Sequence, residues 1–355
     1  MTSRRALILC ATYHQLVVGQ AVARLVRDRY GEVLVVWYGD RPLDGMRELL
    51  AGAGDGIRFA DCHGHRRLKL WTAEGRRRLG GAREDLRRAL GSRPASWDVF
   101  TGNDNALFFQ VALDVCGAGW KDAVLYEEGV GFYAGSRKLL EKSLQSCRMA
   151  AAGLPYRVFW RDFSDNRRFR RLACNHPGLV RRKDVEILDT GESYRHVLSR
   201  IAAGSGPRGE TAVDRVYLSG NFSEARHVSR EEEMRLLAAL RREVETRFGP
   251  GEIHVKFHPL DGEEKRRAIL DMGFTDFGMD GPFELCALLR TCRNVFSFRS
   301  SSVLNLTLLE LPETRCWLLR GESGPARKLY SPRIRELFED LVRRREGLAW
   351  LDLAG

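Results

Sequence analysis

Apolar residues fall in short blocks separated by polar or glycine-rich turns. Residues 6–10 (ALILC), 32–38 (EVLVVWY), 57–60, 97–101 (WDVFT) and 123–126 (AVLY) are rich in β-branched and aromatic side chains. That pattern predicts strands. The block at 32–38 is nearly continuous, as expected of a strand covered on both faces. Helical periodicity covers 16–26, about 43–52, part of the basic stretch 65–92, 105–114 and 137–151. Thr12 is placed to cap the first helix. Residues 155–200 are less regular, with a strand expected at 185–188 and a helix at 193–202.

Residues 203–210 (AGSGPRGE) are the most linker-like stretch, by their Gly, Ser and Pro content. Alternation then resumes. Strands are expected at 213–218 (VDRVYL), 253–257 (IHVKF), 294–298 (NVFSF) and, as the last, 314–319 (TRCWLL). Ser229 and Glu232 form a capping box ahead of a long helix with Met234, Leu236, Leu237 and Leu240 on its apolar face. Further helices are expected at 262–272, from 283, at 302–310 and at 332–345, the last closing the chain. Such alternation implies α/β architecture with parallel, doubly wound sheets. The expected fold is GT-B-like: two Rossmann-like domains facing each other across a cleft. Their boundaries are 1–203 and 213–355, with 204–212 as linker. The last helix is a candidate to pack back on the N-terminal domain.

The chain has 355 residues, 44% of them hydrophobic, enough for two ordinary domains. No apolar run reaches transmembrane length, and the N-terminus lacks a signal-type cleavage site. Eight scattered cysteines without a CxxC pair fit a reducing cytoplasm and indicate no metal site. Cys62-His63-Gly64-His65 lacks a second ligand pair and reads as a polar loop. The formal charge of +11 and the pI near 9.5 concern partners rather than fold. Arginines cluster at 76–78, 167–171, 181–182 and 343–345. Nucleic acid, anionic lipid and anionic small substrates or polymers all fit. The absence of zinc-finger and RNP patterns argues against nucleic acid. Residues 161–172 (RDFSDNRRFRRL) interleave Phe with Arg and are a candidate for peripheral contact with an anionic membrane. A solvated basic face is the alternative.

Three strand ends carry chemistry, and ligands of open α/β sheets bind at that edge. Glu127-Glu128-Gly129 puts two carboxylates on a tight turn, where one can serve as general base; a surface acidic turn would read the same. Lys256 and His258 stand two apart, so on extended backbone they share a side. Together they would suit a phosphate, although an ordinary turn with a solvated His has the same sequence. Ser300, Ser301 and Ser302 begin a helix, where hydroxyls and free N–H groups suit an anion. A plain N-cap would need only one of them. Arg299 is a further phosphate contact or is solvated. Asn175-His176-Pro177 lacks a Lys and a preceding strand, and is set aside.

These stretches resemble motifs of the bacterial sialyltransferases and polysialyltransferases. That family carries an acidic D/E-D/E-G motif, a K-x-H-P motif and a later Ser-Ser/Thr pair. They correspond here to EEG at 127–129, KFHP at 256–259 and SSS at 300–302, with Pro282-Phe283-Glu284 matching a Pro-x-Glu between the last two. The resemblance implies an inverting transferase without a metal or other cofactor, using CMP-sialic acid and a glycan acceptor, polysaccharide or oligosaccharide, at the cytoplasmic side. By it the N-terminal domain binds acceptor and the C-terminal domain the nucleotide sugar. Glu127 would be the base, with Glu128 the alternative. His258 would act on the departing phosphate, Ser300 and Ser301 would hold it, and Ser302 would belong to the same donor site. Lys256 would contact base or phosphate, Glu284 the ribose, and Gly220 and Asn221 would line the nucleotide site. His14, Asn103 and Asp104 are candidates for the acceptor or sugar side. Two Glu replace the Asp of many relatives, which leaves the identity of the base open. Two other readings fit: a transferase of another CMP-activated keto-acid sugar such as Kdo, and a non-catalytic basic protein binding anionic polysaccharide or lipid.

Overall fold

The computed structural model describes residues 4–353, except 41, 44–55, 67–71, 92–95, 135–138, 155–162, 206–211, 310 and 322–323. The helix expected at 43–52 and most of the expected linker lie outside the described residues. The chain divides into two compact units, Met1–Ser205 and Gly206–Gly355.

The first unit holds seven parallel strands: β1 (Arg5–Cys10), β2 (Glu32–Trp37), β3 (Ile57–Asp61), β4 (Trp97–Thr101), β5 (Ala123–Tyr126), β6 (Arg171–Cys174) and β7 (Glu186–Asp189). Their order is β3-β2-β1-β4-β5-β6-β7. The second unit holds β8 (Val213–Leu218), β9 (His254–Lys256), β10 (Thr275–Asp276), β11 (Cys292–Ser297), β12 (Arg315–Arg320) and β13 (Leu348–Asp352). Its order is β10-β9-β8-β11-β12-β13, again all parallel. Each unit is a Rossmann-like sheet whose order reverses once, between β1 and β4 and between β8 and β11. Those reversals are where ligand crevices open at the carboxyl ends of strands.

Local sequence accounts for most of this. In β1 and β2 every residue after the first is buried, so both faces are covered and no alternation survives. The helix Tyr13–Val26 begins where Thr12 accepts the Gln15 N–H at 3.1 Å. The helix Arg230–Phe248 has the expected reciprocal cap. The Ser229 hydroxyl accepts from the Glu232 N–H at 3.1 Å, and the Glu232 carboxylate accepts from the Ser229 N–H at 2.8 Å. Its other end is held by Arg215 of β8, which donates to the Phe248 and Gly249 carbonyls at 2.7 and 2.8 Å. Those are acceptors that a helix end leaves unmet.

The structure departs from the sequence reading most in β6, β10 and β13, while the bounds of several other strands shift by one or two residues. β6 occupies a stretch expected to be irregular, so Asn175-His176-Pro177 does follow a strand. Phe169 and Leu172 are fully buried, and Phe169 packs against Phe109 and Trp120. Arg171 pairs with buried Asp98 at 2.6 Å. Phe169 and Leu172 therefore serve the core, while Arg167, Arg168 and Arg170 of the same stretch stay exposed. β7 runs one residue later than expected. β10 has only two residues, too few to leave a pattern. β13 follows the helix Pro332–Arg344 and pairs with β12, so neither 314–319 nor that helix ends the fold. Among the described residues no helix is long and apolar enough to cross a membrane.

Candidate active site

At the first unit's reversal, the first turn of the helix after β1 carries Gln15, which is 1% exposed. Its side-chain oxygen accepts from the Ala11 N–H at 2.7 Å, and its amide nitrogen donates to Glu128 at 2.6 Å. Glu128 follows β5 and is half-buried. Burial pushes its carboxyl up from the usual range to about 7, offset in part by the Gln15 hydrogen bond and Arg66, and reinforced by Asp104. A carboxyl poised there can hold or release a proton near neutrality.

Glu127, its neighbour, faces elsewhere and is fully buried. Its Oε2 accepts from the Tyr133 hydroxyl at 2.5 Å and from the Asn175 N–H at 2.8 Å. The Tyr133 oxygen in turn accepts the His176 N–H at 3.1 Å, and Thr190 donates to the Asn175 side chain at 2.7 Å. Glu127 thus ties the end of β5 to the end of β6. Asp104 is 1% exposed and accepts from Asn166 at 2.9 Å and Asn105 at 3.1 Å. Asn103 is half-buried and its side chain accepts the Asn105 N–H at 2.9 Å. His14 is half-buried in the first turn after β1. Tyr13 beside it is 42% exposed and stacks on Trp37 at 5.8 Å. Gly102, after β4, has no room for a side chain: a Cβ there would lie 2.8 Å from the Tyr126 ring and 3.2 Å from the Gln15 amide nitrogen.

The second unit's edge is built likewise. β9 stops at Lys256, and His258 stands in the turn beyond it. The His258 N–H donates to Asp261 at 2.8 Å. Its Nδ1 faces the Leu260 N–H at 3.1 Å, so Nδ1 accepts and the neutral ring carries its proton on Nε2. Burial pulls the His258 pKa down, partly countered by Asp261. Lys256 is half-buried and donates to the Met279 carbonyl at 2.6 Å. Only Lys256 lies within β9, but the alternation of burial runs on past its end: Val255 and Phe257 are buried, Lys256 and His258 half-buried.

Ser300 caps the helix Ser301–Leu306, its hydroxyl accepting from the Ser302 N–H at 3.2 Å. Ser302 donates to Glu284 at 3.2 Å, and Asn305 donates to the other Glu284 oxygen at 2.8 Å. Glu284 is 1% exposed and fastens the serine turn to the helix Phe283–Leu289. Ser301 lies half-buried within the same turn. Arg299 stacks over Phe222 at 5.4 Å. Gly220 follows β8 and lies against that ring, where an added Cβ would sit 2.4 Å away. Asn221 is half-buried beside it. Gln15, Asp261 and Lys265 were not singled out by sequence. The spacing of four between Asp261 and Lys265 was a usable signal; Gln15 had none.

No family model matches the chain, and no curated protein matches it. Solved structures do resemble it. TcCGT1 in complex with UDP is 11% identical, with 99% of this chain and 86% of that chain covered and a TM-score of 0.52. A putative UDP-N-acetylglucosamine 2-epimerase from Listeria monocytogenes is 13% identical, with 93% and 82% covered and a TM-score of 0.51. A sialyltransferase from Photobacterium damsela is 10% identical, with 98% and 81% covered and a TM-score of 0.44. The first two show the fold: a pair of Rossmann-like units of GT-B type.

Proposed function

We propose that the chain is an inverting, metal-independent glycosyltransferase that moves sialic acid from CMP-sialic acid to a hydroxyl of a glycan acceptor. The observation that carries this reading is Glu128, a carboxyl raised to about 7 at a ligand edge, matched by an imidazole with an Nε2 proton at the ligand edge of the other unit.

Glu128 takes the acceptor hydroxyl proton as the oxygen attacks the anomeric carbon. The bond to the CMP oxygen breaks with its electron pair, and configuration inverts because no enzyme-bound sugar forms. His258 donates its Nε2 proton to the departing phosphate, while Ser300, Ser301 and Lys256 supply donors to it. Such preorganised donors stabilise charge only as it develops. Glu127, committed to Tyr133 and Asn175, supports the turn that presents Glu128. Glu284 keeps Ser302 and the serine turn in place, with the ribose hydroxyls its expected ligand. Gly220 and Asn221 line the nucleotide, and His14 and Asn103 the acceptor, with Asp104 behind them.

Purified protein with CMP-sialic acid should release CMP slowly, and faster with a glycan acceptor. Unchanged turnover in both Glu128→Gln and His258→Ala would reject the assignment. Stronger thermal stabilisation by UDP than by CMP would redirect the donor.

A further inference from the structure

We propose that Lys265 is a positioning residue that locks the nucleotide loop to the His258 turn and sets the proton affinity of His258. This rests on the donor site assigned above.

Lys265, on the helix Glu263–Asp271, is 0% exposed. Its ammonium donates to Asp261 at 2.8 Å and to the Gly220 carbonyl at 2.5 Å. It also pairs with Glu233 of the helix Arg230–Phe248 at 2.6 Å and with Glu224 at 3.3 Å. Asp261 spends its second oxygen on the His258 N–H at 2.8 Å. Glu233 likewise accepts the Ser223 N–H at 3.1 Å. One buried cation therefore joins the loop after β8, the turn after β9 and two helices.

A buried ion cluster is poor value as a source of stability. Removing its charges from water costs about as much as their attraction returns, and well-packed apolar residues often do as well. What it does supply is a fixed geometry, since each partner has one place to sit. The segments it joins are those that carry Gly220, Asn221 and His258. Gly220 itself lies against the Phe222 ring, which is 2.4 Å from where a Cβ would sit.

The cluster also faces His258 electrostatically. The charged groups acting on that ring are Asp261 and Glu224, which favour its protonated form, and Lys265, which opposes it. Burial is what mainly keeps the free imidazole neutral; the lysine adds to it against Asp261 and Glu224, leaving Nε2–H ready to donate until phosphate charge arrives.

The test is a histidine ring NMR titration of the full chain, paired with calorimetric CMP binding. Lys265→Met removes the cation and leaves buried carboxylates unpaired, so Lys265→Met/Glu233→Gln serves as the charge-balanced form. In the folded variants the His258 pKa should rise by ~0.5–1 unit, as expected when a nearby like charge is removed. CMP affinity should fall about tenfold, which corresponds to about 1.4 kcal/mol. An unmoved or lowered His258 pKa overturns the proposal. Failure of the charge-balanced variant to fold also overturns it, because Lys265 then serves the core alone. If His258 shifts while even the unaltered protein binds no CMP, the electrostatic role stands and the donor assignment falls.

Discussion

Gln15 and Glu128, 113 residues apart, are joined by a 2.6 Å hydrogen bond across the sheet reversal of the first unit. The bond makes the first turn of the helix after β1 the partner of the turn after β5. Gln15 is fixed in turn by the Ala11 N–H. The carboxyl that burial pushes to about 7 is therefore held in one orientation.

Glu128→Gln should abolish acceptor-dependent turnover and stabilise the fold at neutral pH. The folded pKa of Glu128 is raised, so its favourable contribution is complete below the unfolded value of 4.5 and is lost as pH rises through about 7. The neutral amide suffers no such loss. The variant should match the parent in acid and exceed it by about 1–2 kcal/mol near pH 8, after discounting for solvent screening. Denaturant melts at the two pH values measure this. The parent's kcat/KM should fall on the acid side with an apparent pKa about 7, as for a base that must be ionised.

Gln15→Leu removes the donor that lowers the Glu128 pKa. The acid limb of the kcat/KM profile should move to higher pH. Stability should drop by about 1–2 kcal/mol, because the Ala11 N–H loses its buried acceptor. A limb that stays in place or moves to lower pH would separate Gln15 from the titration of Glu128.

Gly102→Ala tests the packing beneath this pair. The added Cβ would meet the Tyr126 ring at 2.8 Å, and that ring is anchored by its hydroxyl to the Leu9 carbonyl at 2.5 Å. The same Cβ would crowd the Gln15 amide nitrogen at 3.2 Å. A loss of about 1–3 kcal/mol is expected, in the range for overpacked cores. Turnover should fall with it, read from a denaturant melt and a CMP-release assay on the same sample.

Strands with nearly continuous apolar runs, such as β1 and β2, were legible in the sequence, and β4 and β8 were legible from their β-branched and aromatic residues despite Asp98, Asp214 and Arg215. So were the Thr12 and Ser229 caps, since a cap is a contact over three residues. β6 was hidden because Arg171 is a core residue only by virtue of Asp98, far away in sequence. β13 was hidden behind an amphipathic helix that looked like a terminus. In the site, strand-end chemistry was visible as polar residues after apolar runs. What those residues touch was not: the separation of Glu127 from Glu128 depends on Tyr133 and Asn175 on one side and Gln15 on the other. Those contacts arise from strand order.

Glu284 gives the sharpest test of the second unit. Its carboxylate accepts from Ser302 and Asn305 while only 1% exposed. Glu284→Gln keeps the shape but turns one acceptor into a donor. The amide can still accept from one partner; the other then faces a donor and is left unsatisfied, at a cost of about 1–3 kcal/mol. Ser302→Ala loses only the weaker 3.2 Å contact and should cost about 1 kcal/mol. If Glu284 sets the serine turn, Glu284→Gln should weaken CMP binding more than Ser302→Ala, while cytidine, which has no phosphate, should bind both variants about as it binds the parent. Equal weakening of cytidine and CMP by Glu284→Gln would instead place the carboxylate on the ribose. Calorimetry with the two ligands distinguishes these outcomes.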